Sequence, residues 1–159
     1  MRRLALYSFV ITLIWLTFIV AISFVETPAK FQALKIEKFD VVTPALQNAL
    51  AIGHVVFHRL NRIEWVCCAF SWFLVLRIRV VRTSGSLILL GAATAILAFQ
   101  TFVLYPSLDL RVAEVMVGRM PPPTWHHIAF VVGEVVKVLT LGILTAAQLQ
   151  AFARAVLSE

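Results

Sequence analysis

The stretch LALYSFVITLIWLTFIVAISF, residues 4–24, contains no charged side chain. At 1.5 Å per residue a helix of this length reaches about 30 Å, the thickness of a bilayer's hydrocarbon core. The basic MRR ahead of it gives the look of a signal peptide, and Ala21 and Ser23 offer a cleavage site. The run is longer than the usual signal core of about 7–15 residues, so it is expected to be a first membrane span. Three more apolar segments follow: WVCCAFSWFLVL (65–76), SLILLGAATAILAFQTFVLY (86–105) and HHIAFVVGEVVKVLTLGILTAAQL (126–149). Their pattern predicts spans near 4–24, 62–80, 85–105 and 126–149. The expected fold is all-α: an integral membrane four-helix bundle forming a single transmembrane domain over 1–159.

Composition supports this reading. The chain is 61% hydrophobic and 14% charged, whereas a soluble domain is about half apolar and a quarter charged. Its net charge of +6 would suggest nucleic acid in a soluble protein. Here no basic run with interleaved aromatics lies outside the apolar segments, so the expected partner is the lipid bilayer and not nucleic acid. Positive residues near span ends set orientation. Arg2, Arg3, Arg77, Arg79, Arg82 and Arg154 fall on one side. Lys30, Lys35, Lys38, Arg59, Arg62, Arg111 and Arg119 fall on the other, with Glu26, Glu37, Asp40, Glu64, Asp109 and Glu114. The compact Arg77/Arg79/Arg82 group and the opening MRR favour both termini, including Glu159, on the cytoplasmic side.

The second span is the irregular one. Its uncharged part, 65–76, reaches only about 18 Å, so the helix must take in Glu64, Arg62 and Asn61. Upstream, Thr43-Pro44 is a strong helix start, and no proline intervenes before Val80. Such a helix either projects beyond the membrane or breaks near Gly53. In GHVVFHRLNRIEW the spacing places Gln47, His54, His58 and Asn61 on one stripe. Thr124, after the triple proline 121–123, is expected to cap the fourth span. Residues 107–120 suit a short interfacial helix. Residues 26–60 and 107–123 together would cap the outer end.

The fourth span repeats the stripe. His127, Glu134, Lys137, Thr145 and Gln148 fall within about 80° at 100° per residue. Lys137 lies near mid-membrane, where an ionisable residue costs about 2.5–3.5 kcal/mol and needs a partner. Glu134 is the nearest candidate. If the two stripes face each other they form an outward-open polar pocket lined by His54, His58, Asn61, Glu64, His126, His127 and Glu134. Lys137 would sit at its floor, and Asp109 and Arg111 at its mouth.

Three chemistries suit these residues. His54 and His58, four apart, can ligate one metal ion with His127. Histidines facing one another from different helices can hold haem iron, which would make the chain a membrane oxidoreductase. Histidines can also be structural. Glu134–Lys137 is either a packing ion pair or a proton or substrate relay. Cys67 and Cys68 read as small apolar residues. The small face Gly91/Ala95/Ala98 permits close helix approach, to another copy or to a partner in a membrane complex.

A further pattern runs along the chain. Pro28 and Phe31 form a P-x-x-F pair after span one, and Leu60-Asn61 leads into span two. Pro106 and Asp109-x-Arg111 follow span three, and His126 or His127 opens span four. This arrangement resembles the four-span membrane family of unknown function that includes the animal transmembrane protein 205. The resemblance implies a small helical membrane protein and no established reaction or cofactor. Lys137 and Cys67-Cys68 are not part of it.

No phosphate loop, nucleophile elbow or paired-carboxylate motif is present. The leading expectation is therefore a non-enzymatic membrane protein that binds or translocates a small polar ligand, proton or metal ion between spans two and four. The alternatives are an assembly subunit of a larger complex and the oxidoreductase.

Overall fold

The computed structural model describes residues 2–36 and 41–157. The charges of Glu37, Lys38, Asp40 and Glu159 used in the orientation argument lie outside them. All regular structure among the described residues is helical. Helix α1 spans Arg2–Ile19 and continues through a π-helical segment, Val20–Glu26, into α2, Thr27–Ala33. Helix α3 spans Pro44–Arg77, and α4 spans Ser84–Phe99. A second π-helical segment, Gln100–Leu104, leads into α5, Tyr105–Met116, and α6 covers Trp125–Leu157.

The two π segments share a cause. Each ends two residues before a proline, Pro28 or Pro106. Proline brings no N–H and its ring crowds the carbonyl four residues back, so the turn ahead of it must open. A π turn does this without ending the helix. At the first site the Thr27 hydroxyl donates to the Ile22 carbonyl at 3.0 Å. The first and third apolar runs therefore continue past their expected ends at 24 and 105, through α2 and α5.

Helix α3 is extended, not broken. Thr43 caps it, its hydroxyl accepting from Leu46 N at 3.1 Å, and the helix runs 34 residues, about 51 Å. Gly53 stays helical within it. A Cβ there would lie 3.3 Å from Lys30 Nζ, so the Lys30 side chain reaches from α2 to α3 at this point. The helix stops at Arg77, short of the expected 80, because Ile78 turns extended. Thr124 does not cap α6 through its side chain: its hydroxyl is buried without a hydrogen bond.

The four long helices form a ring. Helix α1 packs between α3 and α6, and α4 packs between the same two on the other side. Trp15 meets Glu64 while Lys30 meets Gly53, so α1 and α3 are antiparallel. Helix α3 is held to α4 and the π segment after it by two rungs a heptad apart. Asn61 Nδ2 and Trp65 Nε1 donate to Thr101 Oγ1 at 2.8 and 3.1 Å. Trp72 Nε1 donates to Thr94 Oγ1 at 2.9 Å, with Cys68 Sγ 3.3 Å away. Each threonine donates in turn to its own helix, to Leu97 and Leu90 carbonyls. Cys67 and Cys68 are buried free thiols.

Trp15, Ile19, Val75, Leu90, Leu97, Leu141 and Leu144 fill the centre. Phe70, Phe73, Ile88, Phe102, Leu139 and Ile143 are exposed on the outside. Glu64, Gln100, Glu134 and Lys137 are buried inside. An apolar exterior around a charged interior suits lipid and not water. By length and composition three helices can cross a membrane: Arg3–Ala33, Ser84–Met116 and Trp125–Arg154. Helix α3 is not among them; its charges and its histidine-bearing first half set it apart.

A second polar level lies farther along the bundle. Ser8 is seven residues from Trp15, Ser71 seven from Glu64 and Gln148 eleven from Lys137, which puts each on the same helix face as its counterpart. The hydroxyls of Ser8 and Ser71 and both amide atoms of Gln148 are buried without a protein partner. Replacing an unpaired buried amide by an apolar side chain removes a desolvation cost of about 1–3 kcal/mol. Gln148→Leu is therefore expected to leave the thermal midpoint in detergent unchanged or raised. A clear fall would show that the amide has a partner outside this chain.

Candidate functional site

Lys137 is fully buried. Its Nζ lies 2.6 Å from Glu64 Oε1 and 2.7 Å from Glu134 Oε1, and it donates to Gln100 Oε1 at 2.7 Å. Three neutral donors also meet the carboxylates. Trp15 Nε1 donates to Glu64 at 3.0 Å. Gln100 Nε2 donates to Glu134 at 2.9 Å, and the Ser23 hydroxyl donates to its other oxygen at 2.7 Å. Glu64, Gln100 and Glu134 thus meet the ammonium directly, and the first helix joins the cluster through the two carboxylates. Ser23 and Gln100 both sit in the π segments, so the turns that accommodate the prolines also deliver the two neutral side chains that hold Glu134. The cluster holds two carboxylates and one ammonium, formally one negative charge in excess.

Above Glu134 lies a cavity of about 760 Å³ between the first helix and α3, α5 and α6. Glu134 and Ser23 close its inner end. Its walls are mainly apolar and aromatic, with Phe24, Phe31, Phe57, Tyr105 and Phe130 prominent. Phe130 meets Phe57 and Tyr105 edge-on, with ring centroids 5.6 Å apart in both cases. Lys30 reaches the wall while paired with Glu26 at 3.3 Å.

His54, His58 and Asp109 meet on the cavity wall. Asp109 Oδ1 lies 3.2 Å from His54 Nε2 and 3.0 Å from His58 Nε2, with the second His58 contact, to Oδ2, at 3.2 Å. The two imidazoles lean together at 4.4 Å, and Tyr105 lies 5.1 Å from His58. Asp109 therefore pairs with the histidines and not with its neighbour Arg111, which donates to the Pro122 carbonyl. Both residues line the cavity, as does His127.

The residues that the sequence pattern places in one pocket divide into three groups. His54, His58, His127, Asp109, Arg111 and Glu134 line the cavity. Glu64 and Lys137 lie behind Glu134, inside the bundle and away from the lining. Asn61 turns to Thr101 in the second π segment, and His126 stacks on Trp125 at 4.3 Å. Gln47, on the same stripe as His54, donates to the Val115 carbonyl at 2.9 Å. Of the expected metal set, His54 and His58 come together and the third donor beside them is Asp109; His127 is not in that group. The cavity is also less polar than the stripes imply, because α2 and α5 cover it with aromatic and aliphatic side chains.

Trp15, Ser23 and Gln100 were not expected at the site. Gln100 is the one polar side chain beyond hydroxyls in the 86–105 run, and that isolation is a signal: a buried amide in an apolar helix needs a partner. Trp15 and Ser23 carry no comparable mark.

Fold and site together have the build of a helical membrane protein with an internal cavity beside a buried charge cluster. Comparison with protein-family models, with curated proteins and with solved structures gives no match for this chain.

Proposed function

We propose that the chain is a four-span membrane protein that binds or translocates a small molecule with an apolar body and a positively charged head, in exchange for a proton at the Glu64–Lys137–Glu134 cluster. The observation that carries this is the shared ammonium: two buried carboxylates divide one lysine, and one of them ends the cavity. Buried charge is costly unless balanced. One more positive charge neutralises the cluster, and either a proton or a cationic head group supplies it. The cavity lies within the ~300–1,000 Å³ range of small-molecule sites, and aromatic walls favour cations through their ring faces.

On this reading α3 is the remaining span, its Glu64 charge matched inside the bundle by Lys137. Both termini lie on the cytoplasmic side and the cavity opens to the other. The chain is then of the four-span kind that the family resemblance implies.

Calorimetric titration of the purified chain in detergent with tetraphenylphosphonium, in two buffers of different ionisation enthalpy, tests the reading. Saturable binding with release of about one proton per cation is expected. Glu134→Gln should abolish proton release and weaken binding at least tenfold, about 1.4 kcal/mol. No binding at any pH, or binding indifferent to Glu134→Gln, would sink the proposal.

A further inference from the structure

We infer that His54, His58 and Asp109 form a binding site for one divalent transition metal ion on the cavity wall. His54 and His58 are four residues apart on α3, so both imidazoles leave the same face. Asp109 reaches them from α5, across the gap between the helices. Two separate elements thus aim three donors at one point, and the three ligand atoms lie within 4.8 Å of one another.

The distances suit an ion. A tetrahedral site with bonds of about 2.0–2.2 Å has ligand atoms about 3.3–3.6 Å apart. The Nε2–Oδ1 separations of 3.0 and 3.2 Å are already close to that edge. Small rotations of the imidazoles complete the geometry, and the backbone of α3 and α5 need not move. The chemistry is selective. Two imidazoles and one carboxylate fit zinc, cobalt, nickel, iron(II) or copper(II), and they do not make the all-oxygen cage of calcium or magnesium. No fourth protein donor joins the group among the described residues, so a coordination position stays open, as in catalytic and ligand-binding zinc sites. All three residues line the cavity, so a molecule inside it can reach that position with a donor atom. Part exposure of the three side chains leaves the ion a route in from the surface.

The inference does not depend on the cationic-ligand reading: it concerns the cavity wall and uses neither Glu134 nor Lys137. The test is titration of the full chain, purified in detergent and stripped with chelator, with cobalt(II) alone. One equivalent should develop the visible d–d bands of four- or five-coordinate cobalt, and zinc(II) should displace it. His54→Ala/His58→Ala should weaken binding by more than about 100-fold, the upper end of the loss for a mere outer-shell partner. Asp109→Asn keeps the side chain's shape and the one acceptor oxygen that both imidazoles share, so it separates ligand loss from misfolding; it should weaken binding while the metal-free chain stays folded. A wild-type chain that binds no cobalt overturns the inference. So does binding that survives in both variants.

Discussion

Lys137→Met should be among the most destabilising single substitutions in this chain. Removing the ammonium leaves Glu64 and Glu134 buried and facing one another, each having lost its ion-pair partner. Breaking a buried pair from one side costs about 3–5 kcal/mol. Thermal unfolding in detergent should show this as a large fall in midpoint. The double variant Lys137→Met/Glu64→Gln should recover part of the loss, because it deletes one of the stranded charges. The recovery is the informative quantity: a double variant no better than the single one would mean that the two groups are not coupled. The same reasoning fixes how function must be tested. Lys137 cannot be removed cleanly, so loss of activity in Lys137→Met would report on folding, whereas Glu134→Gln keeps the shape of the hydrogen-bonded side chain.

Trp15→Ala should be nearly as severe. Trp15 is completely buried in the main apolar cluster, and truncating a buried aromatic side chain costs about 3–5 kcal/mol. Trp15→Phe separates the two contributions. It keeps most of the packing and removes the indole N–H that Glu64 accepts, a bond to a charged group worth about 1.5–3 kcal/mol. Unfolding midpoints of the two variants measured side by side should rank wild type, Phe and Ala in that order. A Phe variant as stable as wild type would mean that Glu64 does not need this donor.

Much of this architecture is readable from residue order. Long uncharged runs mark the helices because backbone groups have no other way to be satisfied in lipid. Thr43-Pro44 marks the start of α3 to the residue. The Glu134–Lys137 pair follows from helical spacing, and the structure joins it. Contacts between distant elements are not readable in this way. Glu64 looks like an interfacial charge in sequence, yet it is the second partner of Lys137, because α3 is deeper in the bundle than its polar flank implies. Asp109 replaces His127 beside the paired histidines because α5 continues from α4 and carries its first turns over α3. Of the two forms expected for α3, extended or broken near Gly53, the structure shows the extended one; the small residue there leaves room for the Lys30 side chain.

The charged centre also bears on how such a chain is made. Glu64 belongs to a helix synthesised long before Lys137, and Gln100 also emerges ahead of it. If α3 spans as proposed, then until α6 is made it carries an acid that costs about 2.5–3.5 kcal/mol at mid-membrane with no base to meet it. On the four-span reading, α3 is therefore committed to the bilayer only after the last helix arrives. On that reading, nascent chains truncated before Lys137 should leave α3 poorly inserted, and its insertion becomes a late event that waits for α6.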